Sequence, residues 1–516
     1  MTEEHATATA LAGALLLLLL LLLALAAARL AVFAVRLNRA MAQAPPEAVA
    51  YCHDEPLAPD RIRAVHRETV DKGLDWRARL PPRQHRRYIV VGGSGMSSGS
   101  NQRGGGCSVG SHIVLVLLAT GVPPKAIRIV DARPPPRRAD DRDVPFVQAD
   151  ITSAHAARQA LAAPWPDGDG VAQLPLTVFH TAAVIRPFER NPLVYDRCRR
   201  VNVAGTANVL AAAGHAGAGV FIFTSSSSVG GAAVDWFAES SSSSSSAAWW
   251  RLTRPQPTNQ LQVMDASDFS QPLRPPHCFP SCYSRSKAEA ERLVCAADRI
   301  RVGEAGDDKP AMRTGAIRPG NGVYGAPGDF VIDRMLAQRR APTFSAPWVH
   351  NWVHVANVAL AHVQYEAALL GPHSDAVSGR PFLVTDDGPA MRFCDIYAVG
   401  ATLSTGGLQI IYPPPLLMLL MAYAVEAYCS LIATVPILQI FLREPGDPLC
   451  LFQPAVFSSA VSTIIDDSQS RKSAEDGGFG YSPFCNTVQG LSLQIEQRNA
   501  DLAAKAAEDM MTSART

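Results

Sequence analysis

Charge is scarce in this 516-residue chain: 18% of the residues are charged, and the net charge is +1. So even a balance implies no polyelectrolyte partner, and with no basic stripe a nucleic-acid partner is not expected. The ten cysteines are scattered and form no C-x-x-C pair; Cys278 and Cys282 are the nearest two. That spacing argues against a metal cluster or a disulfide framework and for core or loop thiols. No N-x-S/T acceptor occurs, in keeping with a folded region on the cytosolic side. The length itself exceeds one ordinary domain of ~100–200 residues.

What is present begins with leucine. Residues 10–28 are almost pure Leu and Ala, close to the ~20 apolar residues that cross a bilayer. Glu3 and Glu4 precede the run; Arg29, Arg36 and Arg39 follow it. A cleaved signal peptide wants positive charge before the run. The order found here predicts an uncleaved anchor over 1–40, with the bulk of the chain in the cytosol. Residues 41–86 show little periodicity and read as a linker. A second apolar stretch, 408–442, is broken by Pro413-Pro414-Pro415 and interrupted by Glu426. It reads either as a pair of buried core helices or as a membrane-embedded or re-entrant segment.

Between these stretches, strands and helices alternate. Tyr88-Ile89-Val90-Val91 runs into Gly92-Gly93-Ser94-Gly95. An apolar helix follows from Val109-Gly110, and the strand Ile127–Asp131 closes on an acid, 21 positions after Gly110. Strand, glycine turn, helix, strand and acid form the dinucleotide-binding fingerprint. Glycines let the backbone approach a pyrophosphate seated on the helix N-terminus. A carboxylate at Asp131 would accept from ribose hydroxyls and repel a 2′-phosphate, which favours NAD over NADP. Residues 96–107 interrupt the turn; without them Gly92-Gly93-Ser94-Gly95-Ser108-Val109-Gly110 is regular. Further strands are expected at 146–151, with Asp150 and Ile151 near the adenine, and at 177–183, with Ala182 close to the cofactor. Others are expected at 220–229, 314–319 and 382–385. Strands alternating with helices predict an α/β fold with a doubly wound parallel sheet. Ligands bind beyond the carboxyl ends of such strands.

Tyr283-Ser284-Arg285-Ser286-Lys287 opens a predicted helix with no Gly or Pro until Gly303. Positions i and i+4 share a helix face, so Tyr283 and Lys287 meet at one site. A free phenol loses its proton near pH ~10, and a nearby cation favours the phenolate. The pair is therefore a candidate proton acceptor near neutrality. A surface Tyr beside a solvated Lys has the same spacing.

The motifs occur in a consistent order over about 88–390. Besides the glycine turn and Asp131 they include His180-Thr181-Ala182-Ala183, Asn202-Val203-Ala204-Gly205-Thr206, Thr224-Ser225-Ser226, Tyr283/Lys287, Arg318-Pro319-Gly320 and Trp352-Val353-His354-Val355-Ala356-Asn357-Val358. Together they resemble the extended short-chain dehydrogenase/reductases, and within them the 3β-hydroxysteroid (sterol) dehydrogenase group. The resemblance implies that Tyr283 is the catalytic acid/base and that Lys287 lowers its pKa and holds the nicotinamide ribose. It implies a catalytic hydroxyl at Ser226, with Ser225 as the alternative, and no metal. Gly92, Gly95, Gly110, Asp131, Asp150, Ile151, Ala182 and Lys287 would contact NAD. Asn202 would support the site or cap its helix, and His354 would fix a turn.

The same resemblance implies a Rossmann catalytic domain over 87–400, with insertions at 96–107 and 231–280. An apolar membrane-associated segment at 401–445 and a small C-terminal substrate region at 446–516 would follow. The implied substrate is a steroid or sterol, and the implied setting is the endoplasmic reticulum membrane with the catalytic domain facing the cytosol. A homodimer is one option for its assembly. A nucleotide-sugar epimerase or dehydratase and a non-catalytic, NAD-sensing membrane scaffold are the competing classes.

Overall fold

A computed structural model describes residues 2–53, 55–94, 109–135, 143–166, 170–238, 255–300, 311–329, 331–435 and 437–513. Gly95, the inserted stretch 96–107 and the serine run 240–246 lie outside the described residues.

Eleven strands build the two larger sheets. They are β1 (Arg87–Val91), β2 (Ile127–Asp131), β3 (Phe146–Gln148), β4 (Leu176–His180), β5 (Ala218–Thr224), β6 (Leu261–Met264), β7 (Arg313–Pro319), β8 (Val349–His350), β9 (Pro381–Val384), β10 (Met391–Arg392) and β11 (Ser462–Ile465). Seven of them form one sheet in the order β9-β7-β5-β4-β1-β2-β3, and every pairing in it is parallel. Chain order reverses between β1 and β4, the switch point where ligands bind in such sheets. Continuous apolar runs such as Tyr88–Val91 and Val220–Phe223 form these strands because both faces of a parallel sheet are covered.

The helices that matter are α1 (Thr2–Met41), α2 (Pro59–Lys72), α3 (Val109–Ala119), α4 (Cys282–Ala296), α5 (Val355–Leu370), α6 (Pro415–Thr434) and α7 (Thr487–Ser513). One face of the sheet packs on α3 and α5, through Ile113, Leu117, Val358 and Val363. The other packs on α4 and its neighbours, through Val209, Ala290 and Val294. The sheet is thus doubly wound, as the alternation predicts.

The segment expected as a linker, 41–86, is different. It carries α2, which packs against α7 and the helix Phe393–Leu403. Leu57 and Ile62 are buried in a second core with Trp236, Trp348, Trp352 and Phe393. Only Ile62 and Thr69 of α2 are buried, so its apolar signal is too thin to read among its charges. The end of α1 joins the same core through Phe33, Leu37 and Met41. Region 231–280 contributes β6 to a second sheet, of order β10-β8-β11-β6. Short strands from four distant parts of the chain make up that sheet, which no local pattern announces.

α1 and α6 are long and apolar enough to cross a membrane, by length and composition. From Leu11 to Leu30 the leucines of α1 are exposed, whereas α6 is partly covered. Among the described residues the cysteines are free thiols, and Cys198, Cys282, Cys295, Cys450 and Cys485 are buried.

Candidate active site

The glycine turn after β1 works by close approach. Gly92 has φ +86°, and a Cβ there would lie 2.5 Å from the Ala182 amide nitrogen. A Cβ on Gly110, in the first turn of α3, would run into the Gly92 carbonyl. Only glycine lets β1, β4 and α3 converge here. The Ala182 amide donates to the Val91 carbonyl at 3.1 Å, so Ala182 braces the turn; Ala183, one residue on, lines the cleft.

Asp131 closes β2 as expected. Its carboxylate accepts from the Ser94 amide at 3.2 Å and the Arg133 amide at 3.4 Å. Burial raises its pKa, opposed by those backbone donors. At the end of β3, exposed Asp150 accepts from the Thr152 amide at 2.9 Å. Ile151 is buried against Gly205, where a Cβ would lie 2.9 Å away. Both sit at the carboxyl edge where an adenine would lie.

The cleft itself is lined by Thr181, Ser225, Ser226, Tyr283, Lys287 and Asn321, together with apolar Val109, Ile185 and Val323. Helix α4 explains how Tyr283 and Lys287 meet. Ser281 caps it, its hydroxyl accepting from the Ser284 amide at 3.1 Å. Tyr283 is half-buried in the first turn, and Lys287 follows one turn later, 2% exposed. The Lys287 ammonium donates to the Thr224 carbonyl at 2.7 Å and lies 4.6 Å from the Phe223 ring centroid. Asn202 sits in a π-helical turn, Arg200–Gly205. It pairs with both backbone groups of Val184 and donates to Ser286 Oγ at 2.9 Å. Ser286 in turn donates to the Tyr283 carbonyl at 2.7 Å. Asn202 therefore supports the first turn of α4. His354 caps α5 through Nδ1, which accepts from the Ala356 amide at 3.2 Å; it is a structural residue.

Of the two serine candidates, Ser226 Oγ already exchanges a hydrogen bond with Ser228 Oγ at 2.9 Å. Ser225 Oγ is buried without a partner. Ser225 belongs to the cleft lining, and a buried hydroxyl without a partner there is accounted for by a bound ligand. This polar atom and the Gly92–Gly110 cradle are what a dinucleotide and an alcohol would occupy, so the residues fit the group. Ser228 lines the cleft with the rest of the serine run at the end of β5, and sequence reasoning missed Asn321 and Ser459, which also line it. It missed the Thr224 carbonyl as the Lys287 acceptor because a backbone group carries no residue signal. Thr224 Oγ1 is itself held by His362 Nε2 at 2.7 Å across 138 residues.

Lys287 departs from the sequence expectation of a fixed cation. Burial pulls its pKa down to about 7, against smaller upward effects of Glu291 and Cys198. Near neutrality its charge is conditional. Folded Lys287 holds its proton more weakly than unfolded Lys287. The buried charge therefore costs stability below about pH 7, and the cost fades as pH rises toward 10.5. Lys287→Met removes that charge along with its bond to the Thr224 carbonyl, and its stability relative to the native chain is expected to be higher at pH 6 than at pH 9. Thermal melts of both proteins across that range check the sign of the trend.

The seven-stranded parallel sheet, its β1–β4 switch point and the adjoining cleft with Tyr283 and Lys287 have the architecture of the extended short-chain dehydrogenase/reductase class. The model of the 3-beta hydroxysteroid dehydrogenase/isomerase family matches residues 103–243 and 262–402. The chain belongs to that family. It is 29% identical over 223 residues to short-chain dehydrogenase/reductase family 42E member 1 of Mus musculus, covering 42% of this chain and 48% of that protein. It is 27% identical over 428 residues to 3 beta-hydroxysteroid dehydrogenase type 7 of Mus musculus, covering 79% and 94%. The chain spans about half the length of the first of these relatives. Among solved structures it is similar to MoeE5 in complex with UDP-glucuronic acid and NAD, at 21% identity, TM-score 0.49, and coverage of 80% and 99%.

The acidic end of β2 fits NAD rather than NADP. Asp131→Ala is expected to lower KM for NADP at least ~10-fold, about 1.4 kcal/mol, and to weaken NAD. Steady-state kinetics with both cofactors checks it.

Proposed function

We propose that the protein is a membrane-bound dehydrogenase that oxidises the 3β-hydroxyl of a steroid or sterol with NAD. The observation that carries this reading is one cleft holding Tyr283, Lys287 and the Ser225–Ser226 hydroxyls. It lies at the sheet edge that also carries the glycine cradle and Asp131. The relative named 3 beta-hydroxysteroid dehydrogenase type 7 supports the substrate class. The two long apolar helices support an alcohol dissolved in lipid. Arginines after the α1 leucines favour a cytosolic catalytic domain, and the endoplasmic reticulum is the membrane this reading assigns.

In this mechanism a carbinol enters the cleft with its hydroxyl between Tyr283 and the serine pair. The Tyr283 phenol oxygen takes the carbinol proton, acting as general base. Ser226, held by Ser228, or Ser225 donates to the carbinol oxygen and fixes its orientation. Lys287 in its charged form favours the phenolate. Bound NAD supplies the hydride acceptor. Apolar Val109, Ile185 and Val323 exclude water from the reacting carbon.

Purified full-length chain, assayed with NAD against a Δ5-3β-hydroxysteroid, a 4α-carboxysterol and a UDP-sugar, tests the reading. Reduction of NAD by one of the first two is the expected result, and the product shows whether isomerisation or loss of CO2 follows. Turnover of the UDP-sugar alone would overturn it.

A further inference from the structure

The second apolar helix behaves differently from the first. Leu417, Leu420, Met421, Tyr428 and Leu431 of α6 are 37–53% exposed. Their spacing of three, four and seven places them on one helix face. Beyond the helix, Ile437, Ile440 and Phe441 extend that surface and are 63–77% exposed. The opposite face is attached to the folded chain. Leu419 and Ala422 are buried. Glu426 makes a two-pronged ion pair with Arg190, at 2.7 and 2.8 Å, and Ser430 accepts from Asn191 Nδ2 at 2.8 Å. Just after the apolar turn, Glu444 pairs with Arg197.

Both flanks of α6 return to one folded unit. Before it, Gln409–Ile411 pairs in parallel with Arg340–Pro342. After it, Cys450 and Leu451 pack on Phe188, and β11 lies between β8 and β6. A single crossing would put these flanks on opposite sides of a bilayer. A return crossing has only the four-residue helix Leu438–Phe441 to serve it, far short of the ~20 residues required. The membrane surface is nonetheless close. Asn38 Oδ1, near the end of α1, accepts from the Leu416 amide at 3.1 Å. Helix α6 thus starts where the leucine helix enters the folded unit.

We propose that α6 and the turn through Phe441 lie in the plane of the bilayer interface as a lipid-facing plate, and that α1 alone crosses. The apolar stripe contacts phospholipid acyl chains. The Arg190, Asn191 and Arg197 attachments hold the plate against the 184–199 segment, which begins at the catalytic cleft. This inference rests on the membrane reading above and adds the geometry of contact.

The test uses the full-length chain in sealed phospholipid vesicles. A diazirine amino acid is placed singly at positions 18, 420, 441 and 419, and protease-cleavable tags are inserted after Gly406 and Gly446. Lipid capture from 18, 420 and 441, protein capture from 419, and cleavage of both tags from the same face are expected. Lipid capture from 18 with none from 420 and 441 would overturn the plate and leave the membrane reading standing. So would tags cleaved from opposite faces. Silence at 18 would remove the membrane reading itself, and the plate with it.

Discussion

Tyr283→Phe is expected to lower kcat by about 10²–10⁴-fold, the usual contribution of a positioned general acid/base, with NAD binding unchanged. The substitution removes one oxygen from a half-buried ring in the first turn of α4. The Ser281 cap, the Asn202–Ser286 support and the buried Lys287 ammonium do not involve that oxygen. The helix start and the Lys287 anchor should therefore persist, and the loss should sit in the chemical step. Calorimetric NAD titration beside steady-state kinetics separates the two. A variant that loses both NAD binding and turnover would place Tyr283 in the fold rather than in the chemistry.

The largest expected stability effect lies behind the cleft. Arg318 on β7 is 1% exposed and forks onto two carboxylates. It donates to Glu291 at 2.6 and 2.8 Å and to Asp268 at 2.6 and 3.1 Å. Glu291 is fully buried one turn beyond Lys287 on α4. Arg318→Leu leaves that carboxylate uncompensated, and breaking such a buried pair costs ~3–5 kcal/mol. The double variant Arg318→Leu/Glu291→Leu should recover part of the loss because the fully buried carboxylate is gone and Asp268, whose side chain is 32% exposed, keeps access to water. Denaturant titration of the two variants measures the coupling. Equal losses in the single and double variants would mean that packing, not charge, holds this corner.

The sequence shows the main sheet well and the second sheet hardly at all. Central strands such as β1 (Arg87–Val91) and β5 (Ala218–Thr224) are dominated by apolar runs, since central parallel strands carry no polar face. The second sheet joins pairs such as Val349–His350 and Met391–Arg392 to distant β6 and β11, too short to leave a period. The site was legible to the same degree. Spacing alone places Tyr283 and Lys287 on one face of α4, and the glycine turn and Asp131 follow from their strand ends. The depressed pKa of Lys287 was not legible, because it depends on burial by strands far away in the chain. Nor was the choice between Ser225 and Ser226. The two hydroxyls differ in that Ser226 Oγ has a partner and Ser225 Oγ has none, a difference that adjacent identical residues do not show in the sequence.

The central claim is that the Tyr283 cleft moves a hydride from C3 of a 3β-hydroxysteroid to NAD. The most direct measurement uses full-length protein, NAD and a 3β-hydroxysteroid deuterated at C3, with mass analysis of the nicotinamide product. Deuterium in the reduced cofactor, lost in Tyr283→Phe, is the expected result. Bound NAD that never acquires deuterium from the steroid would contradict the claim.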